Sequence, residues 1–103
     1  MSFETIMTEQ NDAGIAILTL NRPDKRNAIS IRMRREISAC LKAWKDDPAI
    51  RAVILTGAGG SFTAGFDLSE FKKPALLQEL YQTSSEYHRE VWYFPKPTIA
   101  AVN

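Results

Sequence analysis

Apolar residues along this chain fall into two kinds of pattern. Short, nearly unbroken apolar runs rich in β-branched side chains predict strands over residues 3–8, 14–20, 52–55 and 98–102. The run at 14–20 (Gly-Ile-Ala-Ile-Leu-Thr-Leu) has almost no polar break, which predicts a strand covered on both faces. Asn11-Asp12-Ala13-Gly14 is a turn signal between the first two strands, so they predict a hairpin. The second pattern is helical. Met33, Ile37, Cys40, Leu41 and Trp44 recur at i, i+4, i+7, i+8 and i+11, with Arg32, Arg35, Glu36, Lys42 and Lys45 off the stripe. Ser30 offers an N-cap, and Asp47-Pro48 ends the helix because the residue before proline avoids helical dihedrals. Asp67 predicts a cap for a short turn over 68–71, and Pro74 suits the first turn of another helix. Leu76, Leu77, Leu80, Tyr81, Ser84, Tyr87, His88, Val91 and Trp92 then keep helical spacing until Pro95-Lys96-Pro97.

Strand, strand, helix, strand, loop, helix, strand is an α/β order. The 103 residues make one domain at most. The sequence holds no internal repeat, linker or low-complexity segment. A net charge of +1 argues against nucleic acid or an anionic membrane as the main partner. Nor does any apolar run approach the roughly 20 residues that span a bilayer. Cys40 is the only cysteine, so no internal disulfide forms, and a cytoplasmic location is the default expectation. The Arg32-Met33-Arg34-Arg35 cluster reads as a solvated helix face.

Between the strand at 52–55 and the turn at 68–71, the chain places Gly57, Gly59, Gly60 and Gly65 within nine residues. Glycine reaches dihedrals closed to other residues and permits close approach, so this stretch is shaped to hold a ligand against its backbone. A dinucleotide fingerprint does not fit, since Phe62 stands where G-x-G-x-x-G requires glycine. The Gly-Lys-Ser/Thr ending of a P-loop is also missing. A purely structural loop is the plain alternative.

Three segments resemble the crotonase family, also called the enoyl-CoA hydratase/isomerase superfamily. They are Leu20-Asn21-Arg22-Pro23-Asp24-Lys25-Arg26-Asn27-Ala28, Val53-Ile54-Leu55-Thr56-Gly57 through Phe62-Thr63-Ala64-Gly65-Phe66-Asp67-Leu68, and Lys96-Pro97-Thr98-Ile99-Ala100-Ala101-Val102-Asn103. They stand in family order and at family spacing. The resemblance implies an α/β fold of the crotonase type, a spiral of ββα units. Residues 1–103 then form the N-terminal portion of an acyl-CoA-binding domain.

The resemblance further implies an acyl-CoA thioester as substrate and an enolate-like anion stabilised by two backbone N–H groups. By motif match Ala64 supplies one of them, a donor of a kind typically worth about 2.7–4 kcal/mol of barrier. Arg26, Ala28, Ala64, Gly65, Phe66, Asp67 and Leu68 are the implied substrate-binding residues. Arg22, Lys25 and Arg26 bring positive charge suited to the coenzyme A phosphates. The implied reaction is hydration of a trans-2-enoyl-CoA in fatty-acid degradation, or double-bond isomerisation in the same pocket. No separate cofactor is implied, because coenzyme A is part of the substrate. The family's trimers and paired trimers imply self-association.

In the family, the second oxyanion donor and the acid/base carboxylates follow the position matching Asn103, so the chain by itself is expected to be incomplete as a hydratase. Two rivals remain at this stage: a module that only binds coenzyme A or docks on a partner, and a nucleotide-binding fragment. Cys40 reads as a core residue, His88 as a packed or half-exposed helix residue, and Asp67 as a cap rather than an acid. Glu70, Glu79, Glu86 and Glu90 read as solvated, without excluding chemistry by one of them. Tyr81, Tyr87, Trp92, Tyr93 and Phe94 read as core or subunit contacts, with one of them touching the acyl chain as the alternative reading.

Overall fold

A computed structural model describes residues 2–103. Strand β1 (Ile6–Gln10) pairs antiparallel with β2 (Ile15–Leu20), and β2 pairs parallel with β3 (Ala52–Gly57). Strand β4 (Thr98–Ala100) adds parallel to β3, so the sheet order is β1-β2-β3-β4. Helix α1 (Ile31–Lys45) connects β2 to β3, and α2 (Leu77–Trp92) connects β3 to β4. This is the mixed α/β architecture the sequence implies.

Helix α1 forms where its caps and stripe dictate. The Ser30 side chain accepts from the Met33 N–H at 3.2 Å. Met33, Ile37, Cys40, Leu41 and Trp44 are buried with Ala16, Leu18 and Val53 of the sheet. Burying a Leu- or Met-sized side chain contributes about 1.5–3 kcal/mol, so this seam is the main source of stability. The chain before β1 is tied to α1 through the buried Glu36 carboxylate. It accepts from the N–H groups of Glu4 at 2.9 Å and Thr5 at 2.8 Å, and from the Thr5 hydroxyl.

Four expectations change. The first strand lies later, at Ile6–Gln10; residues 4 and 5 form a bend whose N–H groups donate to Glu36. Only one face of β2 is fully covered: Ala16, Leu18 and Leu20 are buried under α1, while Ile15, Ile17 and Thr19 are half-buried. The last strand is a three-residue exposed edge, not a buried strand. Pro74 opens a separate 3-10 turn, Pro74–Leu76, and α2 begins after it. On α2, Leu80, Thr83 and Tyr87 face inward, whereas Leu77, Tyr81 and Trp92 are exposed, as is Tyr93 just beyond it.

Parallel pairing puts the ends of β2 and β3 side by side, with Leu20 opposite Gly57. The loops that follow them therefore leave the sheet together at the carboxyl ends of parallel strands, where open α/β sheets bind ligands. Asn103 reaches the same end, its side-chain amide donating to the Gly57 carbonyl at 2.9 Å.

Candidate functional site

The loop after β2 and the loop after β3 form one hydrogen-bonded unit. Its centre is Asn27, which is fully buried. Asn27 Nδ2 donates to the carbonyls of Ala58 at 2.9 Å and Ser61 at 2.7 Å, and its Oδ1 accepts from the Arg22 N–H at 2.7 Å. Arg26 and Asn27 both hold left-handed backbone, with φ of 52° and 55°. Such dihedrals are unusual outside glycine and are best tolerated by Asn and Asp. Gly57 is required for a different reason. A Cβ there would lie 2.1 Å from the Ser61 carbonyl oxygen, so the turn back onto the strand closes only without a side chain.

From Thr63 the second loop runs beside the first like a short parallel ladder. The Thr63 hydroxyl donates to the Asn27 carbonyl at 2.6 Å and accepts from the Gly65 N–H at 3.1 Å. The Ile29 N–H donates to the Gly65 carbonyl at 2.8 Å, and the Asp67 N–H donates to the Ile29 carbonyl at 3.0 Å.

This ladder decides which amides are free. The Ala64 N–H donates to the Arg26 carbonyl at 2.9 Å, so the donor picked out by the sequence motif is engaged within the loop. The assignment of Ala64 as the oxyanion donor therefore needs correction. Gly65 and Asp67 are engaged as well. Between Ala64 and Asp67, only the Phe66 N–H has no acceptor among the described residues. Gly65 turns the chain at φ 95°, and a Cβ there would meet nothing within 4 Å, so the space beside this turn is open.

The other residues singled out from sequence divide into those held in the cluster and those outside it. Ala28 is half-buried, and its carbonyl accepts from Arg22 Nη1 at 2.6 Å. Arg22 Nη2 also meets Asp67 Oδ2 at 3.3 Å, so Arg22 braces the loops rather than facing solvent phosphates. Lys25 and Arg26 project from the same turn with exposed side chains. Leu68 is 73% exposed.

Asp67 caps the turn Leu68–Lys72, accepting from the Ser69 N–H at 3.0 Å and the Ser69 hydroxyl at 2.6 Å. The Ser69 hydroxyl bond, with further help from the Ser69 N–H and Arg22, outweighs burial and holds this carboxyl below the ordinary aspartate range. Glu70 accepts from the Ile31 N–H at 3.0 Å, closing the start of α1. Glu79 pairs with Arg35, and Glu86 with Lys42. Burial pushes the Cys40 thiol up to about 12, so no thiolate nucleophile forms there. His88 is exposed, its Nδ1 lying 2.7 Å from the Ser84 carbonyl oxygen. No cluster of three metal-ligating side chains occurs among the described residues.

Two residues escaped the sequence reading. Asn27 looked like one polar loop residue among several, although its tolerance of left-handed backbone was a signal. The charge pattern puts Arg34 on a solvated face, yet it is 1% exposed. Its spacing to Ile37 and Leu41, at i+3 and i+7, sets it on the buried side. The Arg34 guanidinium lies over the Phe66 ring, 4.3 Å from the centroid. Arg34, Phe66, Phe71, Leu77, Leu80, Tyr81, Ser84 and Ser85 line a cavity of about 430 Å³, within the usual range for small-molecule sites. A smaller apolar cavity of about 160 Å³ lies behind Phe62 and Thr63.

The double loop at the carboxyl ends of the parallel strands thus leaves the Phe66 amide without an acceptor among the described residues, and Phe66 also lines the cavity. Residues 10–103 match the family model described as enoyl-CoA hydratase/isomerase, and the chain belongs to that family, within the crotonase superfamily. It is 41% identical over 108 residues to a hydroxycinnamoyl-CoA hydratase-lyase of Pseudomonas fluorescens, a match covering 98% of this chain and 39% of that protein. It is 36% identical over 98 residues to the 1,2-epoxyphenylacetyl-CoA isomerase of Escherichia coli, covering 89% of this chain and 37% of that protein. Among solved structures, an enoyl-CoA hydratase/isomerase from Xanthobacter autotrophicus Py2 superposes with a TM-score of 0.89 at 36% identity, over 99% of this chain and 39% of that one. The chain thus spans about two fifths of the length of the relatives it matches. Among the described residues, no helix is long and apolar enough to cross a membrane.

Proposed function

We propose that this chain supplies the acyl-CoA-binding half of an enoyl-CoA hydratase or isomerase site, with the Phe66 N–H as its oxyanion donor. The observation that carries the reading is the unengaged Phe66 amide, flanked on both sides by amides tied into the loop ladder. A thioester oxygen docked there accepts a hydrogen bond that strengthens as negative charge develops. In hydration, water adds to C3 of the enoyl group and the C2=C3 electron pair moves toward that oxygen. The anion then takes a proton at C2. In isomerisation, loss of a proton from C2 or C4 gives a dienolate whose charge rests on the same thioester oxygen, and reprotonation at the other carbon shifts the double bond.

The fixed amide supports this chemistry because it need not reorganise when charge appears. Asn27, Thr63 and Arg22 hold the turn in place without touching substrate. Lys25 and Arg26, exposed on the adjoining turn, take the coenzyme A phosphates. A role in fatty-acid degradation and assembly into trimers extend the same reading.

The test compares a saturated acyl-CoA thioester with the matching S-alkyl thioether, which lacks only the carbonyl oxygen. A donor at Phe66 predicts tighter thioester binding by about 0.5–1.5 kcal/mol, the net value of one hydrogen bond. Equal affinity for the two ligands contradicts the reading.

A further inference from the structure

We propose that the cavity beside Phe66 selects acyl groups that end in a carboxylate, with Arg34 as the residue that binds it. This rests on the acyl-CoA reading above and adds a substrate class to it.

Arg34 is almost wholly buried, and its guanidinium is only partly satisfied. Nη1 lies 3.3 Å from both the Leu80 carbonyl oxygen and the Thr83 hydroxyl. Nε and Nη2 have no partner among the described residues. These two nitrogens share one edge of the guanidinium plane and present parallel N–H groups. That edge matches the two oxygens of a carboxylate, the bidentate geometry arginine favours.

A buried charge with two unmet donors is costly, and native proteins seldom leave one without a role. The neighbouring acids do not fill the gap. Asp67 is held by Ser69 and Arg22, and Glu70 by the Ile31 N–H. Both, together with Tyr87, act on the guanidinium only through space. The Phe66 ring covers one face of the guanidinium, which stabilises the cation without using an N–H. Arg34 lines the same cavity as Phe71, Leu77, Leu80 and Tyr81. An acyl chain lying in this cavity runs along apolar wall toward Arg34, whose Nε and Nη2 are sealed from the open space, so its terminal carboxylate reaches the fork as the side chains over it part. Nothing else among the described lining residues is cationic.

The experiment titrates the protein with three coenzyme A thioesters of equal chain length, in short- and medium-chain series. One ends in a methyl group, one in a carboxylate and one in the methyl ester of that carboxylate. For at least one length, the carboxylate form is expected to bind about tenfold or more tightly than the other two. Arg34→Met is expected to erase that preference, read as the ratio of carboxylate-ended to methyl-ended affinity within the same variant. Arg34→Lys, which keeps the charge and loses the fork, is expected to retain only part of it.

A wild-type protein that binds the methyl-ended and carboxylate-ended forms equally at every length overturns the inference. A preference that survives Arg34→Met overturns it too. Should Arg34→Met fail to fold, the wild-type comparison of acid with methyl ester still decides. If no thioester binds at all, the acyl-CoA reading falls and this inference falls with it. Binding of the methyl-ended form without gain from the carboxylate defeats this inference alone.

Discussion

Asn27 holds the Ser61 carbonyl at 2.7 Å across 34 positions of sequence, and with the Ala58 carbonyl this makes one side chain the staple of both loops. Asn27→Asp isolates the contribution. Aspartate tolerates the same left-handed backbone and keeps the acceptor for the Arg22 N–H, but it turns an oxygen toward two carbonyls. The variant is expected to lose about 1–3 kcal/mol in urea unfolding, the range for a buried polar group left without its partner. Unchanged stability would remove Asn27 from its central place.

Glu36 makes stability depend on acid. Burial alone would raise its carboxyl, but the Thr5 hydroxyl, the N–H groups of Glu4 and Thr5, and Arg32 outweigh burial and hold it below the ordinary glutamate range. Its contribution is therefore complete above the unfolded-state value of about 4.3 and is lost as pH falls through the lower folded value. Urea midpoints measured from neutral to acid pH are expected to fall in that window for the wild type. In Glu36→Gln the neutral-pH midpoint is lower and the acid dependence shallower.

Gly57 and Gly60 separate two uses of glycine. Gly57→Ala places its Cβ against the Ser61 and Phe62 carbonyls, at 2.1 and 2.5 Å, and the backbone must shift. Gly60 sits at φ 87° with nothing within 4 Å of a Cβ, so alanine there meets backbone strain alone. Thermal unfolding is expected to rank Gly57→Ala well below Gly60→Ala. The former should lose about 3 kcal/mol or more and the latter about 1–2 kcal/mol. The reverse order would contradict the packing of this turn.

Much of this could be read from residue order, and the failures have physical causes. Ser30 and Asp67 were recognisable as caps because capping needs only a short polar side chain at a helix start, a local property. The stripe from Met33 to Trp44 was legible for the same reason. The exposed edge at β4 was not, since Thr-Ile-Ala reads alike in the middle of a sheet and at its margin. Leu77, Tyr81 and Trp92 keep helical spacing while facing outward, because an apolar stripe wider than the available core cannot all be covered. The free amide was missed by two residues. Which N–H is engaged depends on the pairing of residues 26–29 with 64–67, a contact between distant segments that motif spacing does not encode.

Cys40 offers a check on the core. With its thiol buried and pushed to about 12, it is expected to resist a thiol reagent in the native state at neutral pH and to react only as the chain opens. Its labelling rate should therefore track unfolding under increasing urea. Rapid labelling without denaturant would show that the seam between α1 and the sheet is loose.

The free amide at Phe66 is tested most directly by the infrared carbonyl stretch of a bound acyl-CoA thioester. Two forms of the protein are compared with the wild type. In one, the amide N–H of residue 66 is replaced by an ester oxygen; in the other, that of residue 64. The wild type should lower the carbonyl frequency relative to free thioester. The ester at 66 should return it to the free value, while the ester at 64 keeps the shift and weakens the loop by the bond it loses to the Arg26 carbonyl. A shift that persists with the ester at 66, or vanishes only with the ester at 64, would contradict the account.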